Sequence, residues 1–298
     1  MVKQKYLDKA EILIEALPYI QRFSGKIIVI KYGGSAMLDD ELKMKVIKDA
    51  VLLKLVGFKP VIVHGGGKEI NRWVDKVGME HEFIDGFRVT DGDTMELVEM
   101  VLSKVNKDLV AKVQSLGVNA AGISGKDGGL IKVKKKMPEG KDIGFVGDIV
   151  SVDTKLVEDL IEKDFLPVIF PLGMDEEFNT YNVNADEAAA AIATGLHAEK
   201  LVYLSDVEGV REDPDDSESV LSELFVHEAE ELIEKGVISG GMLPKIQNCI
   251  DALKGGITRI HIMDGRIPHS LLLEIFTNKG IGTAILSDEE EKYWDGKH

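Results

Sequence analysis

Three glycine clusters carry the residue types that could do chemistry. Gly33-Gly34 follows Lys31-Tyr32, Gly65-Gly66-Gly67 follows Val63-His64, and Gly240-Gly241 precedes Lys245. Bare glycines between a strand and a helix leave backbone N–H groups open beside a positive helix end, an arrangement that holds anions. Lys31 closes an apolar run and Lys245 opens a helical one. Each alone reads as a surface lysine; together, one in each half of the chain, they could clamp a group transferred between the halves. Arg88 presents a planar fork suited to a carboxylate, or to an ordinary salt bridge. Asn182, Asn184 and Asp186 alternate, so they can share one face of an extended segment. Asp186 could equally cap the helix that follows. Several glycine turns suit a polyphosphate better than a single carboxylate.

The familiar phosphate motifs do not fit. A P-loop needs Ser or Thr after its lysine, and Gly67-Lys68 is followed by Glu69. A dinucleotide fingerprint needs Gly-x-Gly-x-x-Gly after the first strand, which Lys31–Ser35 does not supply. His64 has no partner at nucleophile spacing, the histidines are scattered, and no cluster suggests a metal held by protein side chains. The net charge of −16, from 36 basic and 52 acidic residues, argues against a general nucleic-acid binder and requires any anion site to be locally positive. One cysteine, Cys249, excludes a disulfide framework. No apolar run reaches membrane-spanning length and the first residues lack a signal-peptide core, so a cytoplasmic location without membrane contact is expected.

The elements that must position these residues follow from hydrophobic periodicity. Residues 1–23 read as one amphipathic helix. Lys26–Ile30 and Val61–Val63 read as strands, each running into a glycine turn and then a helix, as in a parallel sheet with its ligand edge at the strand C-termini. A long helix after Thr90 or Asp91 ends at Gly117. Strands follow at 118–123 and 166–170, with 130–136 and 148–152 as a hairpin at the sheet edge. An alanine-rich helix from Glu187, strands at 200–204, 257–262 and 282–286, and helices at 227–235, 245–254 and 269–276 complete the chain, with a polar tail from Ser287. The expectation is an α/β fold, a three-layer α-β-α sandwich around a mainly parallel sheet of about eight strands. Its parts would be residues 1–24, 25–180 and 181–298.

Taken in order, Lys31-Tyr-Gly-Gly-Ser, His64-Gly-Gly-Gly, Gly86-Phe-Arg-Val-Thr-Asp91, Tyr181-Asn-Val-Asn-Ala-Asp186, Leu204-Ser-Asp-Val-Glu-Gly-Val210 and Gly240-Gly-Met-Leu-Pro-Lys245 resemble the amino acid kinase family over residues 25–286. The Arg-Val-Thr-Asp and Asn-Val-Asn-Ala-Asp segments are similar to the branch that phosphorylates the γ-carboxylate of N-acetyl-L-glutamate in arginine biosynthesis. The resemblance implies that Lys31 and Lys245 stabilise the phosphoryl group in flight while Asp186 holds both. It implies that Gly66, Gly67, Arg88, Asn182 and Asn184 bind acetylglutamate. Gly33, Gly34 and Gly65 would face phosphate, and Ser205, Asp206, Gly209, Gly240 and Gly241 would lie near ATP, whose phosphates carry Mg2+. A carboxylate is already ionised at neutral pH, so no general base is required. Residues 1–23 and the 260–283 stretch resemble the arginine-inhibited form built as a trimer of dimers. By that resemblance Tyr19, His261, Glu274 and Gly282 would line an effector site for arginine. Family members acting on aspartate, carbamate, UMP or a carrier-linked aminoadipate, and a non-catalytic arginine-sensing domain, are the competing readings.

Overall fold

The chain opens with two helices, α1 (Val2–Glu15) and α2 (Leu17–Phe23), where periodicity suggested one. Pro18, in the first turn of α2, has no N–H to continue the helical ladder, so the break falls at Ala16. The structure, a computed structural model, describes residues 2–216, 218–277 and 280–289; the end of the polar tail, 290–298, lies outside the described residues. The first strand–helix units are β1 (Ile27–Tyr32), α3 (Asp40–Leu55), β2 (Lys59–His64) and α4 (Gly67–Val77). A small hairpin, β3 (Phe83–Ile84) and β4 (Phe87–Arg88), leads to α5 (Gly92–Gln114). Asp91 caps α5, accepting from the Thr94 N–H at 2.8 Å. Next come β5 (Ala120–Ser124), β6 (Ile131–Lys135), β7 (Gly147–Val152), α6 (Lys155–Glu162), β8 (Leu166–Phe170), β9 (Leu172–Met174) and β10 (Thr180–Asn182). The remaining elements are α7 (Ala185–Gly195), β11 (Lys200–Ser205), β12 (Glu223–Phe225), α8 (Val226–Glu234), α9 (Met242–Lys254), β13 (Arg259–Asp264), α10 (Ser270–Ile275) and β14 (Thr283–Leu286).

Eight strands form the central sheet in the order β12-β14-β13-β11-β1-β2-β8-β5. Their pairings are parallel except where β14 runs antiparallel to β13. The expected hairpin at 130–152 exists, but not at the edge of this sheet: β6 and β7 join β9 and β10 in a separate four-stranded sheet. Alternation marks a half-buried strand without saying which sheet takes it. Among the described helices none is long and apolar enough to cross a membrane.

The period of two sorts β1 onto two faces. Ile28, Ile30 and Tyr32 pack into one apolar cluster with residues of α3, α5 and α10. Val29 packs into another with Ala188, Ala189 and Ile192 of α7 and Ile246 and Ile250 of α9. Each fully buried aliphatic side chain contributes about 1.5–3 kcal/mol, which fixes the register of the central strands. That register also settles Lys31. It lies on the Val29 face, beneath α7 and α9, and beside Tyr203 of β11. The chain fills one side of β1 with β2, β8 and β5 and the other with β11, β13 and β14, so the order reverses at β1, where an open α/β sheet forms its ligand crevice.

Candidate active site

Asp186, in the first turn of α7, meets both lysines. Lys31 Nζ lies 2.8 Å from Asp186 Oδ1, and Lys245 Nζ, from the first turn of α9, donates to Oδ2 at 2.5 Å. Asp186 is free to do this because Asn184 caps α7, its Oδ1 accepting from the N–H groups of Asp186 and Glu187. The capping reading of Asp186 is thus replaced by a cap two residues earlier. Burial pushes the Asp186 carboxyl up, but the two ammonium groups, Lys31 foremost, outweigh it and hold the pKa well below the usual carboxylate range. The Tyr203 hydroxyl donates to the Asp186 carbonyl at 3.2 Å, and its ring lies 5.0 Å beneath Lys245 Nζ, which anchors the helix start to β11.

A cleft of about 260 Å³ opens beside this triad. Lys31, Gly33, Gly34, Gly65, Gly66, Gly67, Arg88, Asn182, Asn184 and Asp186 all border it. Two of its glycines are closely approached by neighbouring side chains. A side chain at Gly34, where φ is +77°, would strike the Asp206 carboxylate, and one at Gly66 would come within 2.6 Å of Leu102 Cδ2. Arg88 is buried at the far wall, its guanidinium carbon 4.7 Å over the Phe83 ring and its Nη2 donating to Asn71 Oδ1. The β3–β4 hairpin therefore serves as a wall that carries Arg88.

A second cavity of about 380 Å³ is lined by Asp206, Gly209, Val237, Ile238, Ser239, Met242 and Arg266 among others. Gly240 and Gly241 stand in the turn between Ser239 and α9. Ser205 ends β11 buried, its Oγ accepting from the Val207 N–H at 3.3 Å. Asp206 ties the two cavities together. It accepts from Ser35 N at 2.8 Å and Ser35 Oγ at 2.6 Å, and Lys68 Nζ reaches it at 3.1 Å from the start of α4. Neither Ser35 nor Lys68 was picked out from the sequence, although both adjoin glycine turns. The sequence offered no signal that α4 would face the end of β11.

Tyr19, His261, Glu274 and Gly282 border neither cavity. Three of them meet elsewhere: His261 Nδ1 lies 2.7 Å from Glu274 Oε1, and Glu274 Oε2 accepts from the N–H groups of Ile281 and Gly282. Lys200 Nζ, not singled out from the sequence, lies 3.2 Å from His261 Nε2. Burial, reinforced by neighbouring Arg259, brings its pKa down to about 7. Tyr19 stands edge-on to Phe276, just beyond α10, at 6.3 Å.

Two cations gathered on one carboxylate beside two glycine turns make a locally positive cleft, chemically suited to an anionic group, at the reversal point of an α/β sheet. The model of the amino acid kinase family matches residues 26–264, and the chain belongs to that family. It is 54% identical over 292 residues to the acetylglutamate kinase of Heliobacterium modesticaldum, covering 95% of this chain and 99% of that one. The acetylglutamate kinase of Syntrophomonas wolfei is 53% identical over 283 residues, covering 95% and 98%. Among solved structures, N-acetylglutamate synthase from Neisseria gonorrhoeae complexed with coenzyme A and N-acetyl-glutamate superposes with a TM-score of 0.83 at 27% identity over 94% of this chain; this chain spans 64% of that synthase. Carbamate kinase from Giardia lamblia bound to AMP-PNP shares the fold, with a TM-score of 0.63 at 16% identity over 89% of this chain and 99% of that one.

Proposed function

We propose that the protein transfers the γ-phosphoryl group of ATP to the γ-carboxylate of N-acetyl-L-glutamate, giving N-acetyl-L-glutamyl 5-phosphate for arginine biosynthesis. The observation that carries this reading is the pairing of Lys31 and Lys245 on Asp186 at the open ends of β1 and α9, in a chain whose acetylglutamate kinase relatives match it nearly end to end. The acceptor carboxylate is already a nucleophile, so the work left is positioning and neutralisation of charge. Lys31 and Lys245 would meet the transferred group from two sides, and Asp186 would keep the ammonium groups apart and aimed. Gly33 and Gly34 would offer N–H groups to phosphate; Gly65, expected to do the same, borders the cleft but gives its N–H to the Tyr32 carbonyl at 2.9 Å. Gly66, Gly67, Asn182 and Asn184 would seat acetylglutamate, with Arg88 on its α-carboxylate. The part at 25–180 would thus hold the acceptor and 181–298 the nucleotide, in the cavity lined by Asp206, Gly209, Ser239 and Met242; Gly240 and Gly241, between the last two in sequence, and Ser205 do not line it.

Mg2+ would travel with ATP and supply charge neutralisation to its phosphates. Asp186 is committed to two ammonium groups, which leaves the phosphate oxygens as the natural donors for that ion. A hydroxamate assay for acyl phosphate across acetylglutamate, glutamate and aspartate tests the reaction. Equal rates on all three acceptors would sink the substrate assignment.

The same reading includes feedback inhibition by arginine at Tyr19, His261, Glu274 and Gly282. It is supported by the convergence of the last three on one buried carboxylate, and by a Neisseria N-acetylglutamate synthase whose structure contains L-arginine. It also includes a trimer of dimers joined through residues 1–24, supported by the exposed Leu7, Leu13 and Ile14 of α1. Deleting residues 1–23 should lower the molecular mass on a sizing column and weaken arginine inhibition; an unchanged mass would refute the assembly role. With one cysteine, the chain suits the reducing cytoplasm.

A further inference from the structure

Behind the Gly65–Gly67 turn runs a line of hydrogen bonds whose direction can be read from one end to the other. His64, the last residue of β2, is fully buried. Its Nδ1 lies 2.8 Å from the Gly65 carbonyl oxygen and its Nε2 lies 3.2 Å from Asn106 Nδ2, on α5. The same Asn106 nitrogen lies 2.8 Å from the Val168 carbonyl oxygen of β8. A backbone carbonyl can only accept, so the Asn106 group that faces it is the NH2. The second N–H of that group then points at His64, and Nε2 must accept it. The imidazole proton is left on Nδ1, where it donates to the Gly65 carbonyl. Asn106 Oδ1 has no hydrogen-bond partner among the described residues, so the amide's polar contacts are those of its NH2 group.

The consequence appears on the cleft side. The Gly65 N–H donates to the Tyr32 carbonyl at 2.9 Å, and its own carbonyl is held by His64, so the peptide that follows has one orientation. In a trans peptide the N–H points opposite the carbonyl. Gly66, which borders the cleft, therefore turns its N–H away from His64, and that N–H donates to no acceptor among the described residues. We infer that His64 and Asn106 are positioning residues, which transmit a fixed hydrogen-bond polarity from the Val168 carbonyl to the glycine turn and so aim the Gly66 N–H at the bound anion. Burial lowers the His64 pKa to about 4, so the ring stays neutral and the polarity holds throughout the neutral range. The kinetic consequence rests on the phosphotransferase reading; the tautomer does not.

Long-range proton–nitrogen correlation on protein labelled with 15N-histidine decides the tautomer, with His64 assigned by the signal lost in His64→Asn. The expected result is one neutral form protonated at Nδ1 from pH 6 to 8, converting to a mixture in Asn106→Leu. A form protonated at Nε2 would overturn the inference whatever the enzyme does. In acyl-phosphate assays, His64→Leu should lower kcat by about ten- to a hundredfold, the scale of one misaimed donor, while the melting temperature stays near that of the parent. His64→Asn, whose amide N–H can take the place of Nδ1–H, should recover most of that loss. If His64→Asn were no better than His64→Leu, or if both lost activity only in step with stability, the ring would be filling space and the positioning role would be wrong. A parent enzyme making no acyl phosphate would remove the kinase reading and leave the tautomer result standing.

Discussion

Lys245 Nζ donates to Asp186 Oδ2 at 2.5 Å, joining the first turns of α9 and α7 across 59 residues of sequence. Lys31 reaches the other oxygen from β1 at 2.8 Å, so one carboxylate sets the spacing of two cations. Asp186→Asn keeps the shape and removes the charge that aims them. The expected outcome is a kcat lower by about a hundredfold or more, since preorganised charge is worth that much at such a site. Stability carries a second signature. Because the Asp186 pKa is depressed, its contribution is fully present above the usual carboxylate range and is lost as pH falls below about 4. The gap in melting temperature between the parent and Asp186→Asn should therefore close on acidification. A gap constant from pH 7 to pH 3 would refute the linkage.

Lys200 has the opposite sign. Its ammonium is buried 4.7 Å over the Phe23 ring, and its pKa is brought down to about 7 by burial and by Arg259. The unfolded chain holds that proton to a higher pH than the folded one, so this group makes stability rise between pH 7 and the ordinary lysine range. Below pH 7 the folded state carries the full cost of a buried charge. Lys200→Met should therefore raise the melting temperature at pH 6 and gain progressively less as the pH is raised toward 10. Equal gains at both ends would show that the lysine is not neutral in the folded state.

How much of this could be read from the sequence depended on whether the signal was local. β1, β2, β8 and β11 carry nearly continuous apolar runs because both faces of the sheet are covered, and they stand out for that reason. β12, with only three residues, was missed; it exists because β14 supplies its partner, which no short window of sequence contains. The glycine turns were visible as punctuation, but Asp186 read equally as a helix cap or as part of a polar face shared with Asn182 and Asn184. The choice between them is made by Lys31 and Lys245, which reach Asp186 from β1 and α9. Asn106 did leave a trace, as a polar residue on the apolar face of α5, where leucine or valine would be expected.

Gly66 allows a separate test of close packing. A Cβ there would lie 2.6 Å from Leu102 Cδ2, so either the turn or the leucine side chain must give way. Gly66→Ala should lower kcat/KM for acetylglutamate, as the turn shifts away from the leucine. Leu102→Ala removes the obstacle at the cost of a small cavity. In the double variant part of the loss should return, giving a coupling of about 0.5–3 kcal/mol in a double-mutant cycle. Strict additivity of the two changes would mean that the alanine methyl disturbs something other than Leu102.

Arg88 provides the sharpest test of the acceptor side. Its guanidinium is held by three neighbours at once: Phe83 beneath it, Asn71 accepting from Nη2, and His81 Nδ1 3.3 Å from Nη1. These contacts hold the guanidinium in one orientation at the cleft border, with N–H groups beyond those two bonds left for a carboxylate. Arg88→Lys keeps the charge and loses the fork and the stacking. If Arg88 holds the α-carboxylate, the KM for acetylglutamate should rise by about ten- to a hundredfold, as losing a charge-assisted bond costs about 1.5–3 kcal/mol, while the KM for ATP changes little. The second cavity, where ATP would sit in the proposed reaction, is lined by other residues, from Asp206 to Arg266, so the two constants can move independently. A parallel rise in both would place Arg88 in the general architecture of the cleft and leave the α-carboxylate without its partner.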